Sequence, residues 1–158
     1  MLLNRALSIL VAVLVACLSL RALAQPEPIE ITSASNIQAH FQFWEDATGE
    51  ASIDQVLSLA DERWKAVPHG SATFGLTQSA HWLRFAIKNQ TQLNLNLIAE
   101  LGYSQLDDVV FYLYAGGRRI KELKTGDSRN FYPRDVDHPS MLLRVSLAPD
   151  EMQTVYVR

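Results

Sequence analysis

The sequence predicts an all-β fold, an antiparallel β-sandwich with one short helix, and three observations predict it. From residue 81 onward, apolar and polar side chains alternate in short runs, which is the two-residue period of half-buried strands. Turn residues separate these runs every few positions, as in sandwich folds. Only one segment has the apolar spacing of a helix. Two packed antiparallel sheets account for all three observations.

The first segment has the organisation of an export signal. Arg5 precedes an apolar run over 6–20, and the small residues Ala22 and Ala24 follow it. A basic start, an apolar run and a small-x-small site are typical of a secretory signal peptide. We therefore predict a signal peptide over 1–24, cleavage between Ala24 and Gln25, and an exported protein.

A second kind of leader fits the same segment. Leu14-Val15-Ala16-Cys17 resembles the lipobox of bacterial lipoproteins, in which the cysteine becomes the lipidated N-terminus. The apolar run continues beyond this cysteine and then reaches an ordinary cleavage site, which favours the first interpretation.

Composition argues against several classes of function. Cys17 is the only cysteine and lies in the leader, which leaves no thiols for zinc fingers or thiol catalysis. Loss of the leader removes two arginines and no acid, so the formal net charge changes from −3 to −5. An acidic chain is a poor partner for nucleic acid. Motifs such as G-x-S-x-G and H-E-x-x-H do not occur, so we expect no enzyme, no catalytic residues, no cofactor and no metal site.

The first elements after the leader follow from local signals. Prolines and glutamates open residues 25–36, which should form an extended, exposed lead-in. Residues 40–44 alternate in the manner of a strand and end in the turn 46–49. Ser52 and Gln55 then form a capping box, and the apolar spacing that follows predicts a helix over 53–62.

Six strands are predicted in the rest of the chain. The paired glycines Gly116-Gly117 join two of them in a hairpin, because they supply the positive φ angles of a tight turn. The sandwich domain should cover 37–158, and it ends inside a strand, which suggests truncation at its C-terminus. The predicted strands are 81–89, 93–101, 108–115, 118–124, 141–148 and 152–158.

An ordered set of short motifs resembles a known family. The set is similar to the 7TMR-DISM extracellular type 2 domain, the sensor domain of bacterial receptors with seven transmembrane helices, over about 37–158. The motifs are Phe74-Gly75, Trp82-Leu83-Arg84-Phe85, Leu106-Asp107-Asp108, Gly126-Asp127, Pro133-Arg134 and Val155–Arg158. The resemblance implies a jelly roll similar to carbohydrate-binding modules, displayed outside the inner membrane. In that family seven membrane helices and a cyclase or kinase output usually follow.

The strand over 81–89 carries the first candidate site. Leu83 and Phe85 lie on one face, while Trp82 and Arg84 lie on the other. An indole packs on the apolar face of a sugar ring, and a guanidinium binds hydroxyls or a carboxylate. Trp82 and Arg84 would then form a binding face. The alternative is that the helix or a loop covers Trp82, and that Arg84 pairs with an aspartate or glutamate of a neighbouring strand.

Three further residues are candidates for ligand contact. Tyr112 and Arg144 occupy outward positions on other strands, where tyrosine and arginine are typical of binding surfaces and also of ordinary cross-strand pairs. Arg134 lies in the irregular stretch 125–139, which forms either a binding loop or a structural ion pair. Asp135-Val136-Asp137 in the same stretch lacks the ligands of a calcium loop.

Two functions fit these observations. The first is a non-catalytic ligand-sensing domain of a signal-transduction receptor, which binds a carbohydrate or another small molecule. It would act on a membrane signalling partner or on a missing C-terminal seven-helix region. The second is a protein-interaction or dimerisation module without a small ligand, in which the face around Trp82 would make a homodimer.

Overall fold

The computed structural model describes residues 26–33, 37, 39–67, 74–75, 77–103, 105–128 and 135–158. The described elements comprise nine strands, one α-helix and one 3₁₀ turn. In chain order they are β1 (Pro28–Ile31), β2 (Gln42–Asp46), α1 (Ile53–Leu57), the 3₁₀ turn Asp61–Arg63, β3 (Lys65–Ala66), β4 (Ala80–Asn89), β5 (Leu95–Leu101), β6 (Val109–Ala115), β7 (Arg118–Thr125), β8 (Met141–Leu147) and β9 (Met152–Val157). No helix within these ranges is long and apolar enough to cross a membrane.

The strands form two sheets, and the predicted all-β sandwich with one short helix is confirmed. The large sheet has seven strands in the order β3-β2-β4-β9-β6-β7, with β1 beside β4. The small sheet is β5 paired with β8. Neighbouring strands are antiparallel except β1, which runs parallel to β4.

The six predicted strands all occur, with ends that differ by at most two residues from the expected ones. The helix is shorter than expected, because the Ser58 hydroxyl donates to the carbonyl oxygen of Gln55 at 2.7 Å and closes it. A separate 3₁₀ turn follows at Asp61–Arg63. Within the predicted lead-in, Pro28–Ile31 form β1, and pairing with β4 buries Ile31, so the described part is not exposed throughout.

An aliphatic core fills the space between the two sheets. The inward side chains of β8 are buried against apolar residues of β4, β6 and β9 in the large sheet. Burial of one such side chain contributes about 1.5–3 kcal/mol, so this layer makes a large contribution to the stability of the sandwich. The buried members are Ile87, Val109, Phe111, Leu113, Leu123, Met141, Leu143, Val145, Leu147, Val155 and Val157.

Asn89, at the end of β4, ties the two sheets together. Its Nδ2 donates to the carbonyl oxygens of Leu93, Leu147 and Ala148 at 2.7, 3.2 and 3.0 Å. Its Oδ1 accepts from the backbone N–H and the hydroxyl of Thr91 at 2.9 and 2.8 Å. One fully buried amide therefore satisfies the backbone where β4 passes into β5 and where β8 ends.

A glycine allows a close approach between the end of β7 and the start of β6. Gly126 has a φ of +134°, and a Cβ there would lie 2.2 Å from the carbonyl oxygen of Asp107. The same oxygen accepts from the backbone N–H and the hydroxyl of Ser128, at 3.1 and 2.5 Å. Any larger residue at this position must separate the two segments.

We expect Asn89→Ala to lower the free energy of unfolding by about 3 kcal/mol, because it leaves buried carbonyl and N–H groups without partners. Urea unfolding followed by circular dichroism measures the loss. Asn94→Ala, at an exposed position of the same connection, should change stability by less than about 0.5 kcal/mol. Equal effects of the two variants would contradict the role assigned to Asn89.

We expect Gly126→Ala to destabilise the domain by about 2 kcal/mol or more, since the new methyl group collides with backbone. Gly102→Ala is the matched control, because among the described residues, apart from its chain neighbours, no heavy atom lies within 4 Å of a Cβ at that position. Thermal unfolding of both variants tests this. A melting temperature of Gly126→Ala close to that of Gly102→Ala would show that the approach is not required.

Candidate functional site

All three tryptophans and three of the five tyrosines of the chain gather on one face of the large sheet. This face is turned away from the small sheet, because its residues alternate with those of the aliphatic core. We call it the aromatic face and define it as Trp44, Trp64, Trp82, Tyr112, Tyr114 and Tyr156.

Strand register places most of these side chains next to each other. Trp44 of β2 pairs with Trp82 of β4, and Tyr156 of β9 pairs with both Arg84 of β4 and Tyr112 of β6. Directly paired residues on one face of a sheet are in side-chain contact. Because alternate residues of each strand lie on this face and the register aligns them, the aromatic side chains form a continuous layer across four strands.

The segment after β2 folds over part of this layer. The carboxylate of Asp46 accepts from the backbone N–H groups of Thr48 and Ala51, at 3.1 and 2.8 Å, and reverses the chain. The capping box of Ser52 and Gln55 then starts α1. Ile53 and Val56 of α1 join the cluster of Trp82, which is 0% exposed.

Arg84 is buried beside Trp82, with 5% of its surface exposed. Its Nη2 donates to the carboxylate of Asp61 at 2.6 Å, and its Nε donates to the side-chain oxygen of Gln42 at 2.8 Å. The guanidinium also lies over the ring of Trp64, 4.3 Å from the ring centre. A buried guanidinium requires such partners, because an unpaired buried charge is costly.

The layer opens to solvent along β6. Tyr112 is half-buried and stacks on Trp82 with ring centres 5.9 Å apart and planes inclined by 19°. Tyr114, also half-buried, meets Tyr156 edge to face at 5.7 Å. Burial raises the pKa of Tyr112, Tyr114 and Tyr156, so their hydroxyls stay protonated at neutral pH.

Charged groups border this opening on β7. The guanidinium of Arg119 lies 6.0 Å from the ring centre of Tyr112 and forms an ion pair with Glu122 at 2.9 Å. Both side chains are partly exposed. The open border thus combines aromatic surface with hydrogen-bond donors and acceptors.

The sequence model of the 7TMR-DISM extracellular 2 family matches residues 38–158. The chain belongs to this family. Membership indicates an extracellular sensor domain of a receptor, and the resemblance found from the motifs is confirmed. The comparison with curated proteins gave no match.

This 7TMR-DISM domain brings together three of the predicted site residues, Trp82, Arg84 and Tyr112. Trp82 and Arg84 do not form an open platform here, because α1 and the 3₁₀ turn cover them. The cover over Trp82 matches the alternative interpretation, and Arg84 pairs with an acid, but this acid is Asp61 of the 3₁₀ turn and not a residue of a neighbouring strand. Whether they contact a ligand stays a prediction.

Of the other site predictions, Arg144 falls elsewhere. Arg144 lies on β8 in the small sheet, where its Nε donates to the carbonyl oxygen of Asp135 at 3.2 Å. It is therefore not part of the aromatic face of the large sheet. Arg134 and the cleavage site Ala24–Gln25 lie outside the described residues.

Sequence reasoning missed several members of the aromatic face in this 7TMR-DISM domain. Tyr156 was within reach, because it lies on the opposite face of its strand from Val155 and Val157, as Trp82 does relative to Leu83. Trp64 and the partner of Arg84, Asp61, could not be predicted as part of this site, since they follow α1 in a segment without a regular period.

Two indole N–H groups on this face have no acceptor among the described residues. Nε1 of Trp64 and Nε1 of Trp82 are both buried and without a hydrogen-bond partner there. Buried donors in folded proteins are nearly always paired. The aromatic face therefore contains buried hydrogen-bond donors, whereas the side chains of the aliphatic core have none.

We expect Asp46 to contribute stability that disappears in acid. Burial by itself would raise the pKa of Asp46, but hydrogen bonds from Thr48, Ala51 and Gly49 outweigh it and hold the pKa below its ordinary value of 3.8. A depressed folded-state pKa gives stability that is complete above the unfolded value and is lost as the pH falls through the folded one. The domain should therefore weaken as the pH falls below about 4.

Urea unfolding over a pH series tests this with Asp46→Asn, which should be less stable at neutral pH and less dependent on pH in acid. Glu50→Gln removes an acid from an exposed neighbouring position and should keep the acid dependence of the unchanged protein. Parallel stability curves for Asp46→Asn and the unchanged protein would refute the assignment.

Proposed function

We propose that this sensor domain binds a small hydroxylated molecule, such as a carbohydrate, at the open border of the aromatic face. The observation that carries the proposal is the gathering of all three tryptophans and three tyrosines on one sheet face. The core between the sheets is almost entirely aliphatic, so packing alone does not call for this composition. Aromatic side chains with polar tips are typical of surfaces that bind ligands.

The chemistry of the border fits a ligand with both an apolar face and hydroxyl groups. The ring of Tyr112 offers a surface for stacking, supported from behind by Trp82. Protonated tyrosine hydroxyls donate and accept, while Arg119 donates and Glu122 accepts. A sugar ring presents C–H groups on one face and hydroxyls at its rim, which matches this arrangement.

The proposed contact residues differ in how directly a ligand can reach them. Tyr112 meets the ligand directly at the border. Trp82 and Arg84 lie below it, and a ligand would reach them only after α1 and the 3₁₀ turn moved and the ion pair with Asp61 opened. Arg134 is kept as a candidate, whereas Arg144 is left out because β8 belongs to the other sheet.

A signal from this border would leave through β9. This strand lies between β4 and β6 in the large sheet, and its Tyr156 contacts Trp64 and Tyr114 of the aromatic face. Arg158, directly after β9, donates to the carbonyl oxygen of Gly49 at 2.5 Å. Binding would shift the population of two arrangements of β9. The receiver would be a membrane signalling partner or a following seven-helix region.

The proposal includes the location and the absence of catalysis. The leader 1–24 would export the chain, with cleavage at Ala24–Gln25, and the domain would act on the periplasmic side of the inner membrane. Its part is recognition, without a cofactor and without a reaction.

Intrinsic fluorescence tests the proposal directly, because every tryptophan of the chain lies on the aromatic face. A panel of neutral and acidic mono- and oligosaccharides is titrated while tryptophan emission and thermal unfolding are recorded. A ligand should shift the emission and raise the melting temperature. Tyr112→Ala should weaken its binding at least about tenfold through loss of the stacking surface.

Tyr103→Ala is the matched control, since Tyr103 is an exposed tyrosine outside the aromatic face. It should bind like the unchanged protein. Equal affinity of Tyr112→Ala and Tyr103→Ala would contradict the site, and a panel without any response would contradict the ligand class. Hydrolysis of a glycan in the panel would show an enzyme instead.

A further inference from the structure

The two edges of the small sheet differ in how their backbone groups are satisfied. On β8 the N–H of Arg144 donates to the carboxylate of Asp135 at 2.6 Å, and its carbonyl accepts from Nζ of Lys121 at 3.4 Å. The carbonyl of Ser146 accepts from the side chain of Gln153 at 2.9 Å. Side chains therefore cover the outer edge of β8.

These contacts also fix the direction of the backbone groups of β5. Arg144 is opposite Ile98, and Ser146 is opposite Asn96. Because the backbone groups of Arg144 and Ser146 point away from β5, these are non-hydrogen-bonded pairs of the antiparallel ladder. The N–H and C=O groups of Asn96, Ile98 and Glu100 consequently point outward. In the described part of the chain no strand pairs with this edge.

The apolar layer is also incomplete beside β5. The inward residues of β5 are only half-buried, whereas the inward residues of β8 that face the same core are at most 1% exposed. Leu83 and Phe85 on β4, which pack against this core, are half-buried as well. An unpaired strand edge next to apolar side chains is a template for pairing with another strand.

Two edge strands of the described fold, β7 and β5, contrast in charge. β7, at the edge of the large sheet, has the sequence RRIKELKT, with four basic side chains that discourage pairing. β5 has the sequence LNLIAEL, with one charged residue and no lysine or proline. Its outer face carries Ile98 at its centre, 57% exposed.

We propose that two copies of this domain join antiparallel through β5 about a two-fold axis at Ile98. This pairing makes one continuous sheet from the small sheets of both copies. It places Ile98 opposite the partner's Ile98 and Asn96 opposite the partner's Glu100. It also places Leu95 opposite the partner's Leu101, so that the apolar cores of the two copies become continuous.

The sequence of β5 is complementary to itself in this register. Glu100 is the only charged residue of the strand, and the two-fold axis sets it against an amide and not against a second carboxylate. Like charges directly opposite each other destabilise a sheet, so this register avoids the main penalty. At the axis, the exposed Ile98 packs against the partner's Ile98, so each covers the other. A second copy of the chain is thus the partner that the edge fits.

Sedimentation equilibrium of the purified protein across a wide concentration range tests the proposal. The unchanged protein should show a reversible dimer. Ile98→Lys sets two ammonium groups against each other at the axis and should raise the dimer dissociation constant at least about tenfold. Ile120→Lys is the matched control, because Ile120 is 53% exposed on β7, an edge strand of the large sheet. It should leave the dimer unchanged.

A charge exchange tests the register itself. Asn96→Glu sets two carboxylates opposite each other across the axis and should weaken the dimer severalfold. Adding Glu100→Lys to the same chain restores opposite charges and should recover or exceed the original affinity. This recovery keeps the test valid if Ile98→Lys disturbs folding, which circular dichroism would reveal.

Three results would overturn the inference: a monomer at every concentration, a dimer that Ile98→Lys and Ile120→Lys weaken equally, or no recovery in the Asn96→Glu, Glu100→Lys chain. None of them bears on the carbohydrate proposal, which concerns the large sheet and has its own readout in tryptophan emission.

Discussion

The packing of this domain depends on β4, which is covered on both faces. Leu83, Phe85 and Ile87 pack into the aliphatic core, while Trp82 and Arg84 lie under α1 and the 3₁₀ turn. A strand buried on both faces needs a layer on each side. The small sheet forms one layer, and the segment between β2 and β3 forms the other. The place of nearly every other element follows from this requirement.

Arg84 makes the second layer specific. A buried guanidinium without a counter-charge would cost several kcal/mol, about 3–5 when one partner of such a pair is removed. Asp61 supplies that charge, and its side chain remains about one-third exposed, so solvent reaches one side of the pair. The pair therefore holds the 3₁₀ turn against the sheet by a directional contact. Opening this pair is the movement that the proposed ligand contact with Trp82 and Arg84 would require.

The two layers differ in kind, and the difference bears on function. Aliphatic side chains between the sheets fill space without polar atoms, and their packing favours a single rigid arrangement. Tryptophan and tyrosine on the other side carry N–H and O–H groups that require partners. A sensor domain of a receptor can keep its fold through the first layer while the second exchanges contacts. β9 belongs to both layers, since Val155 and Val157 face the core and Tyr156 faces the aromatic side.

The sequence alone determined the strands from residue 81 onward, the helix start and the family. Alternation is a local property of successive side chains, so the ends of β4, β6 and β9 followed from it within two residues. The pairing of Ser52 with Gln55 is equally local. Only the tertiary structure decided what covers each face. A period of two shows that Trp82 and Arg84 share a face, but it cannot show that Asp61, 23 positions away, lies against it. Nor can it assign Arg144 to the other sheet, because sheet membership depends on pairing between distant strands.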